Sequence, residues 1–388
     1  MFQTLPARRL IASSETIEFP VVTIDADGII AGIEPGAAPR TSDTTLTTTF
    51  FDIHTHGGAN HDVMEGTPEA LCTVSRFMGS RGVGHFLPTT VTAPIDKTLA
   101  SLEGISRAID LATTSGWDKR CARPVGIHLE GPFISHAKRG VHPPADILPP
   151  DIPLFDRFQQ AAGGHIRLIT IAPEIPGALD LIRHCTAKGV RVSIGHTDAT
   201  SAEAHAAIDA GAASATHTFN AMRALNHREP GVLGTVLDSD DLFAELICDG
   251  VHVAPELVRL WLKAKGPRRG ILITDSMAAA GMPDGDYTLG TFAVRVANGR
   301  AFAAEDLTQG QHTLAGSVLT LDRAVLNLQR FTGASLEVAS HLASRNPASL
   351  LGMERAIANI APGEPANFNV FNNAGELERT ILRGVALA

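Results

Sequence analysis

The sequence predicts an α/β fold: a (β/α)8 TIM-like barrel with a small β-sandwich domain formed from both chain ends. Three observations predict it. Eight short apolar segments alternate with amphipathic helical stretches through the middle of the chain, both ends read as β only, and polar residues gather at the C-terminal tips of the apolar segments.

The chain begins with β signals. FPVVTI and IIAGI flank Asp27-Gly28, a hairpin turn pair. The Thr-rich stretch TSDTTLTTT reads as a connector. From about Gly363 the pattern returns to strands: NFNVFN, a turn at Asn373-Ala374-Gly375, then ERTIL. Chain termini often lie close together, so residues 1–49 and 360–388 are expected to form the small sandwich and 50–359 the barrel.

The middle supplies the strand candidates FFDIH, GHFLPTT, VGIHLE, IRLITIAP, VRVSIGH, ASATH, FAELICDG and GILITD. Helical stretches such as PEALCTVSRFMGSRG and SAEAHAAIDAG lie between them, the latter ending on a C-cap glycine. His54, His56, Glu130, His196, His217, Asp249 and Asp275 fall at the ends of these strands. Barrel enzymes place their catalytic groups there, and a purely structural polar residue has no reason to favour that end.

Composition narrows the function. Of 388 residues 44% are hydrophobic, enough for a large core, and a net charge of −9 without a basic run argues against nucleic-acid binding. The four cysteines, Cys72, Cys121, Cys185 and Cys248, form no C-x-x-C pair, which argues against a disulfide framework and a zinc finger. There is no signal-peptide-like apolar core at the N-terminus and no apolar run of about 18 residues. No membrane association and a cytoplasmic location are the expectation.

The strand-end residues carry the chemistry. In His54-Thr55-His56, period-two alternation puts both imidazoles on one face, and neighbouring neutral imidazoles suit zinc or iron. Gly57-Gly58 lets the backbone turn closely beside them. Glu130 ends GIHLEGP, where packing gives a carboxylate no purpose. His128, two residues earlier, reads as an orienting or core residue. His196 and His217 end successive strands. Asp275 ends ILITD and can serve as a general base toward water, then as an acid toward a leaving amine; the alternative is an N-cap for a helix at SMAAAG. Two further segments look like ligand capture. GPFISHAKRGVHPPADILPP is a long Pro-rich loop whose His142 can orient a carbonyl. Phe219–Met222 with His227–Gly231 offers backbone N–H groups and an arginine fork for an anion.

Together FDIHTHGG, LPTT, HLEGPF, RGVH, GHTDAT, THTFNAM, HREPG, CDGVHV, ITDS and LAGSVLTL resemble the N-acetylglucosamine-6-phosphate deacetylases of the amidohydrolase superfamily, from about Phe50 to the C-terminus. The resemblance implies Glu130, His196 and His217 as the principal metal ligands, His54 and His56 as a second site, and Asp275 as the catalytic acid/base. It implies substrate contacts from Val141, His142, Asn220, Ala221, His252, Leu314, Ala315 and Gly316. Arg228 would reach the phosphate held by a neighbouring subunit, hence a homodimer. The implied cofactor is one or two divalent ions, zinc first, with iron, cobalt or manganese as alternatives. The implied reaction is hydrolysis of the acetamide of N-acetyl-D-glucosamine 6-phosphate. The rivals are a galactosamine-epimer deacetylase, another amidohydrolase such as a cyclic amidase or adenine deaminase, and a non-catalytic sugar-phosphate sensor. Many cyclic amidases bridge two metals with a modified lysine, and the strand end at Glu130 offers none. The chain departs from the family pattern at Thr49-Phe50, His85 and FNVFN, away from the site.

Overall fold

A computed structural model describes residues 2–12, 15–114 and 116–387; Met1, Ser13, Ser14, Ser115 and Ala388, which include both outer limits of the expected sandwich, lie outside the described residues. Eight parallel strands form the barrel: β1 (Phe50–Thr55), β2 (Val83–Thr90), β3 (Ile127–Glu130), β4 (Ile166–Ile171), β5 (Arg191–Ile194), β6 (Ala212–Ala215), β7 (Phe243–Ile247) and β8 (Gly270–Ile273). Each pairs with the next in order. The ring closes just past the end of β8. There Asp275 N–H donates to His54 O at 2.9 Å and His56 N–H to Ser276 O at 2.7 Å.

The strands are buried on both faces because helices cover the outside. Their apolar runs, such as Phe50, Phe51 and Ile53 of β1 or Ile271, Leu272 and Ile273 of β8, are therefore nearly continuous. Two of the helices show clear start and stop signals. Thr67 caps Pro68–Ser80, and Thr200 with Glu203 forms a capping box on Ser201–Ala210, which Gly211 terminates at φ 114°.

Both chain ends build two facing sheets. One has the antiparallel strands Gln3–Pro6, Val21–Ile24 and Ile30–Glu34. The other runs Val385–Leu387, Leu377–Leu382, Phe368–Phe371, Thr45–Thr48, Arg9–Ile11, Thr16–Glu18. Leu5, Val22, Ile24 and Ile30 from the first meet Leu10, Leu46, Phe368, Val370 and Ile381 from the second.

Three segments differ from the sequence expectation. The Thr-rich connector contains a strand: Thr45–Thr48 pairs with both ends of the chain. Threonine is β-branched and fits a pleated surface, so the stretch pairs rather than merely connecting. Ser276 forms isolated β-bridges and residues 278–281 a turn, with no helix, so Asp275 caps none. Beyond them Gly285–Leu289, Phe292–Ala297 and Arg300–Ala303 form an antiparallel sheet that was not foreseen. Its local signal is Asn298-Gly299, a two-residue hairpin pair. Among the described residues, no helix is long and apolar enough to cross a membrane.

Candidate metal centre

The strand-end residues converge. His54 lies in β1 and His56 just past it, Glu130 ends β3, and His196, His217 and Asp275 each stand two residues beyond β5, β6 and β8. The last three have left-handed backbone, φ 47°, 26° and 51°. Such a conformation costs a non-glycine residue roughly 1–2 kcal/mol, and it concentrates at sites where geometry is over-determined. Gly131, at φ 79°, follows Glu130 so closely against Thr92 that a Cβ would stand 2.1 Å from the Thr92 hydroxyl. Gly57 is equally confined: a Cβ there would stand 2.2 Å from His61 O.

Glu130 is the hub. Its Oε1 lies 3.4 Å from His54 Nε2, 3.3 Å from His196 Nε2 and 3.2 Å from His217 Nε2. Its Oε2 lies 3.2 Å from His56 Nε2 and 3.8 Å from His142 Nε2. Asp275 Oδ1 is 3.1 Å from His56 Nε2 and 3.7 Å from His54 Nε2. All of these groups are buried.

The other ring nitrogens fix the tautomers. His56 Nδ1 contacts Thr89 O and His196 Nδ1 contacts Lys138 O, both at 2.9 Å. A carbonyl only accepts, so each Nδ1 carries a hydrogen, and it is Nε2 that these rings turn into the site, bare wherever the ring holds no second proton. His196 Nε2 also lies 3.1 Å from His217 Nε2. Bare imidazole nitrogens facing carboxylate oxygens, as His56 and His196 do toward Glu130, repel unless positive charge lies among them. His54 Nε2, moreover, is buried without a hydrogen bond. This donor set of imidazole nitrogens and carboxylate oxygens fits a divalent ion.

The titration behaviour expresses the same demand. Burial opposes a charged His56, but Asp275 and Glu130 outweigh it and raise the ring to about 9. Burial likewise opposes charge on His54, and Glu130 and Asp275 overcome it. Burial also opposes ionisation of Asp275, but His54 and His56 hold its carboxyl well below the ordinary range.

His142 is different. Distance alone groups it with Glu130 and His196, as it groups His54 and His56 with Asp275, with ligand atoms within 4.8 Å in each trio. Its Nδ1, however, accepts the Thr92 backbone N–H at 3.3 Å, with the Thr92 hydroxyl at 2.8 Å. The ring hydrogen therefore sits on Nε2 and points into the site, which suits a donor and not a ligand. Burial, aided by His196, lowers this ring to about 3 and keeps it neutral. His217, whose Nε2 lies 3.2 Å from Glu130 Oε1 and 3.1 Å from His196 Nε2, is the better third partner for them.

A cleft of about 330 Å³ opens on these groups. Of the expected substrate contacts, Val141, His142, Asn220, Ala221, His252, Leu314 and Gly316 line it. Ala315 is buried behind the lining, its N–H on Ala301 O at 3.1 Å. Arg228 is exposed on the loop before residues 231–238 and does not line the cleft. Asp249 orients His252, whose Nδ1–H it accepts at 2.7 Å. His128 packs edge-on against His54, ring centroids 4.6 Å apart, and contacts the Thr170 hydroxyl at 2.8 Å.

Sequence reasoning did not single out Lys138 and Leu289, which line the cleft, nor Asp52 and Glu245, fully buried against His54. Asp52 accepts the Thr274 hydroxyl at 2.6 Å and the His54 N–H at 3.3 Å. The available signal for both acids was a carboxylate interrupting an apolar strand, FFDIH and FAELI.

A parallel barrel whose C-terminal mouth gathers imidazoles and carboxylates around a cleft defines a metal-dependent hydrolase. The amidohydrolase family profile matches residues 45–387, and the chain belongs to that family. It is similar to the N-acetylgalactosamine-6-phosphate deacetylase of Escherichia coli O157:H7, 36% identical over 99% of both chains. It is also similar to the N-acetylglucosamine-6-phosphate deacetylase of Bacillus subtilis (strain 168), 37% identical over 88% of this chain and 84% of that one. Among solved structures, the N-acetyl-D-glucosamine-6-phosphate deacetylase of Mycobacterium smegmatis, a mutant in complex with N-acetyl-D-glucosamine-6-phosphate, superposes with a TM-score of 0.90. It is 32% identical over 99% of both chains.

Proposed function

We propose that this chain hydrolyses the acetamide of N-acetyl-D-glucosamine 6-phosphate to D-glucosamine 6-phosphate and acetate, acting in the cytoplasm as a homodimer. The reading rests on one observation above all: a single cleft holds an ionised carboxylate, Asp275, and a neutral N–H donor, His142, beside the Glu130 hub. Glu130, His196 and His217 would hold the principal divalent ion, with zinc the first choice, and His54 with His56 a second. Such an ion polarises a carbonyl and makes water acidic enough to attack at neutral pH.

The protein's own groups do the rest. Asp275 accepts a proton from the attacking water, because His54 and His56 keep its carboxylate ionised despite burial. It then delivers that proton to the departing amine nitrogen. His142 donates its Nε2–H to the acetamide oxygen as negative charge grows there. The backbone N–H of Ala221 has no partner among the described residues and can donate to the sugar phosphate. Arg228 of the partner subunit reaches the same phosphate, in keeping with the exposure of this residue outside its own cleft.

The relative from Escherichia coli O157:H7 favours a second reading, the galactosamine epimer. Acetate release measured on both 6-phosphates and on unphosphorylated N-acetylglucosamine tests the assignment. The glucosamine 6-phosphate derivative is expected to give the highest kcat/KM. Equal rates with and without phosphate would remove the phosphate roles of Ala221 and Arg228, and a preference for the other epimer would establish the second reading.

A further inference from the structure

We propose that Glu245 is a positioning residue for the metal position built on His54 and His56. The inference rests on the metal-centre reading above and adds to it a residue outside the ligand set. Glu245 sits in the middle of β7, fully buried. One carboxylate oxygen, Oε2, accepts from His54 Nδ1–H at 3.1 Å and from the His217 backbone N–H at 3.2 Å. The other, Oε1, is buried with no hydrogen-bond partner. Among the described residues no lysine or arginine pairs with this carboxylate, and its only salt-bridge contact is His54. A buried, half-satisfied carboxylate is costly, and packing alone would fill that place with an apolar side chain like its neighbours Leu246 and Ile247.

The contact explains what the carboxylate does. By accepting the Nδ1 hydrogen it fixes the His54 tautomer and turns the bare Nε2 toward Glu130 and Asp275. His56 and His196 are oriented by backbone carbonyls. Within this set, His54 is the one oriented by a charged group. A carboxylate behind an imidazole fixes the ring and makes it a stronger base, and loss of such a partner typically weakens metal binding by about 10–100-fold. Glu245 also ties two ligands together, since the His217 N–H it holds belongs to the principal position.

The test is a metal titration without sugar. The intact protein is freed of metal and titrated with cobalt(II) against a chromogenic chelator, and its bound metal is counted by mass spectrometry. Two equivalents are expected for the wild type. Glu245→Ala should weaken one of them by about 10–100-fold, and Glu245→Gln, which keeps an acceptor for His54, by less. In a His54→Asn background Glu245→Ala should cause a far smaller further loss, because the residue acts on the His54–His56 position through His54 and meets His217 at its backbone N–H. An unchanged Glu245→Ala affinity would overturn the proposal. So would an equal loss in the His54→Asn background, or a wild type with one equivalent that ignores His54→Asn. If Glu245→Ala does not fold, the comparison of Glu245→Gln with and without His54→Asn decides on the same terms. Acetate release by the wild type is scored separately, so a failed deacetylase assignment leaves this result readable.

Discussion

The terminal sandwich and the barrel mouth both exclude water, but they bury opposite chemistry. Between the two terminal sheets lie Leu10, Ile24, Leu46, Phe368 and Ile381. Around the mouth lie His54, His56, Glu130, His196, His217, Glu245 and Asp275, equally hidden from solvent. Apolar burial is non-directional, so the sandwich depends on volume and tolerates exchange of similar shapes. Buried charge is directional, and each group at the mouth depends on a named partner at a defined distance. The two regions should therefore fail differently.

Four measurements sharpen or break that contrast. The largest effect is expected from removing metal. A chelator should lower turnover by about 10³-fold or more, and added divalent ion should restore it. Amide exchange in the sandwich should stay slow throughout; a sandwich that loosens with the metal would show that the two regions are one cooperative unit. Asp275→Asn should keep its metal yet lose roughly 10²–10⁴-fold in kcat, and near-normal turnover would remove the proton-shuttle role. His142→Asn should lower kcat by about 10²-fold with metal content unchanged. A loss of metal in that variant would make His142 a ligand, against the tautomer read from Thr92. The smallest effect lies in the sandwich. Ile381→Val should cost about 1 kcal/mol in a denaturant titration with kcat unaltered.

The contrast also explains what was readable. The sandwich strands at FPVVTI, IIAGI, NFNVFN and ERTIL were visible because alternation and turn residues are local signals. The Thr45–Thr48 strand was hidden because its pairing partners lie at opposite ends of the chain. At the mouth, His54, His56, Glu130, His196, His217 and Asp275 stood out as polar tips on apolar strands. His252 and Leu314 were reached only through the resemblance, whereas Val141 and Asn220 lay in segments that already read as ligand capture. Leu289 escaped because it comes from a sheet whose one clear signal, Asn298-Gly299, lies elsewhere.

By itself, the sequence determined the alternation of strand and helix, the β character of both ends, and the residue types waiting at the strand tips. Each follows from periodicity and side-chain chemistry within a few residues. Only the tertiary structure decided which nitrogen of each histidine faces the site. That choice is made by atoms distant in sequence: Thr89 O for His56, Lys138 O for His196, Thr92 N–H for His142 and Glu245 for His54. An imidazole presents a lone pair or a proton according to what holds its far side. His142 and His196 therefore stand in the same cleft as a donor and an acceptor, a difference that the residue type alone does not contain.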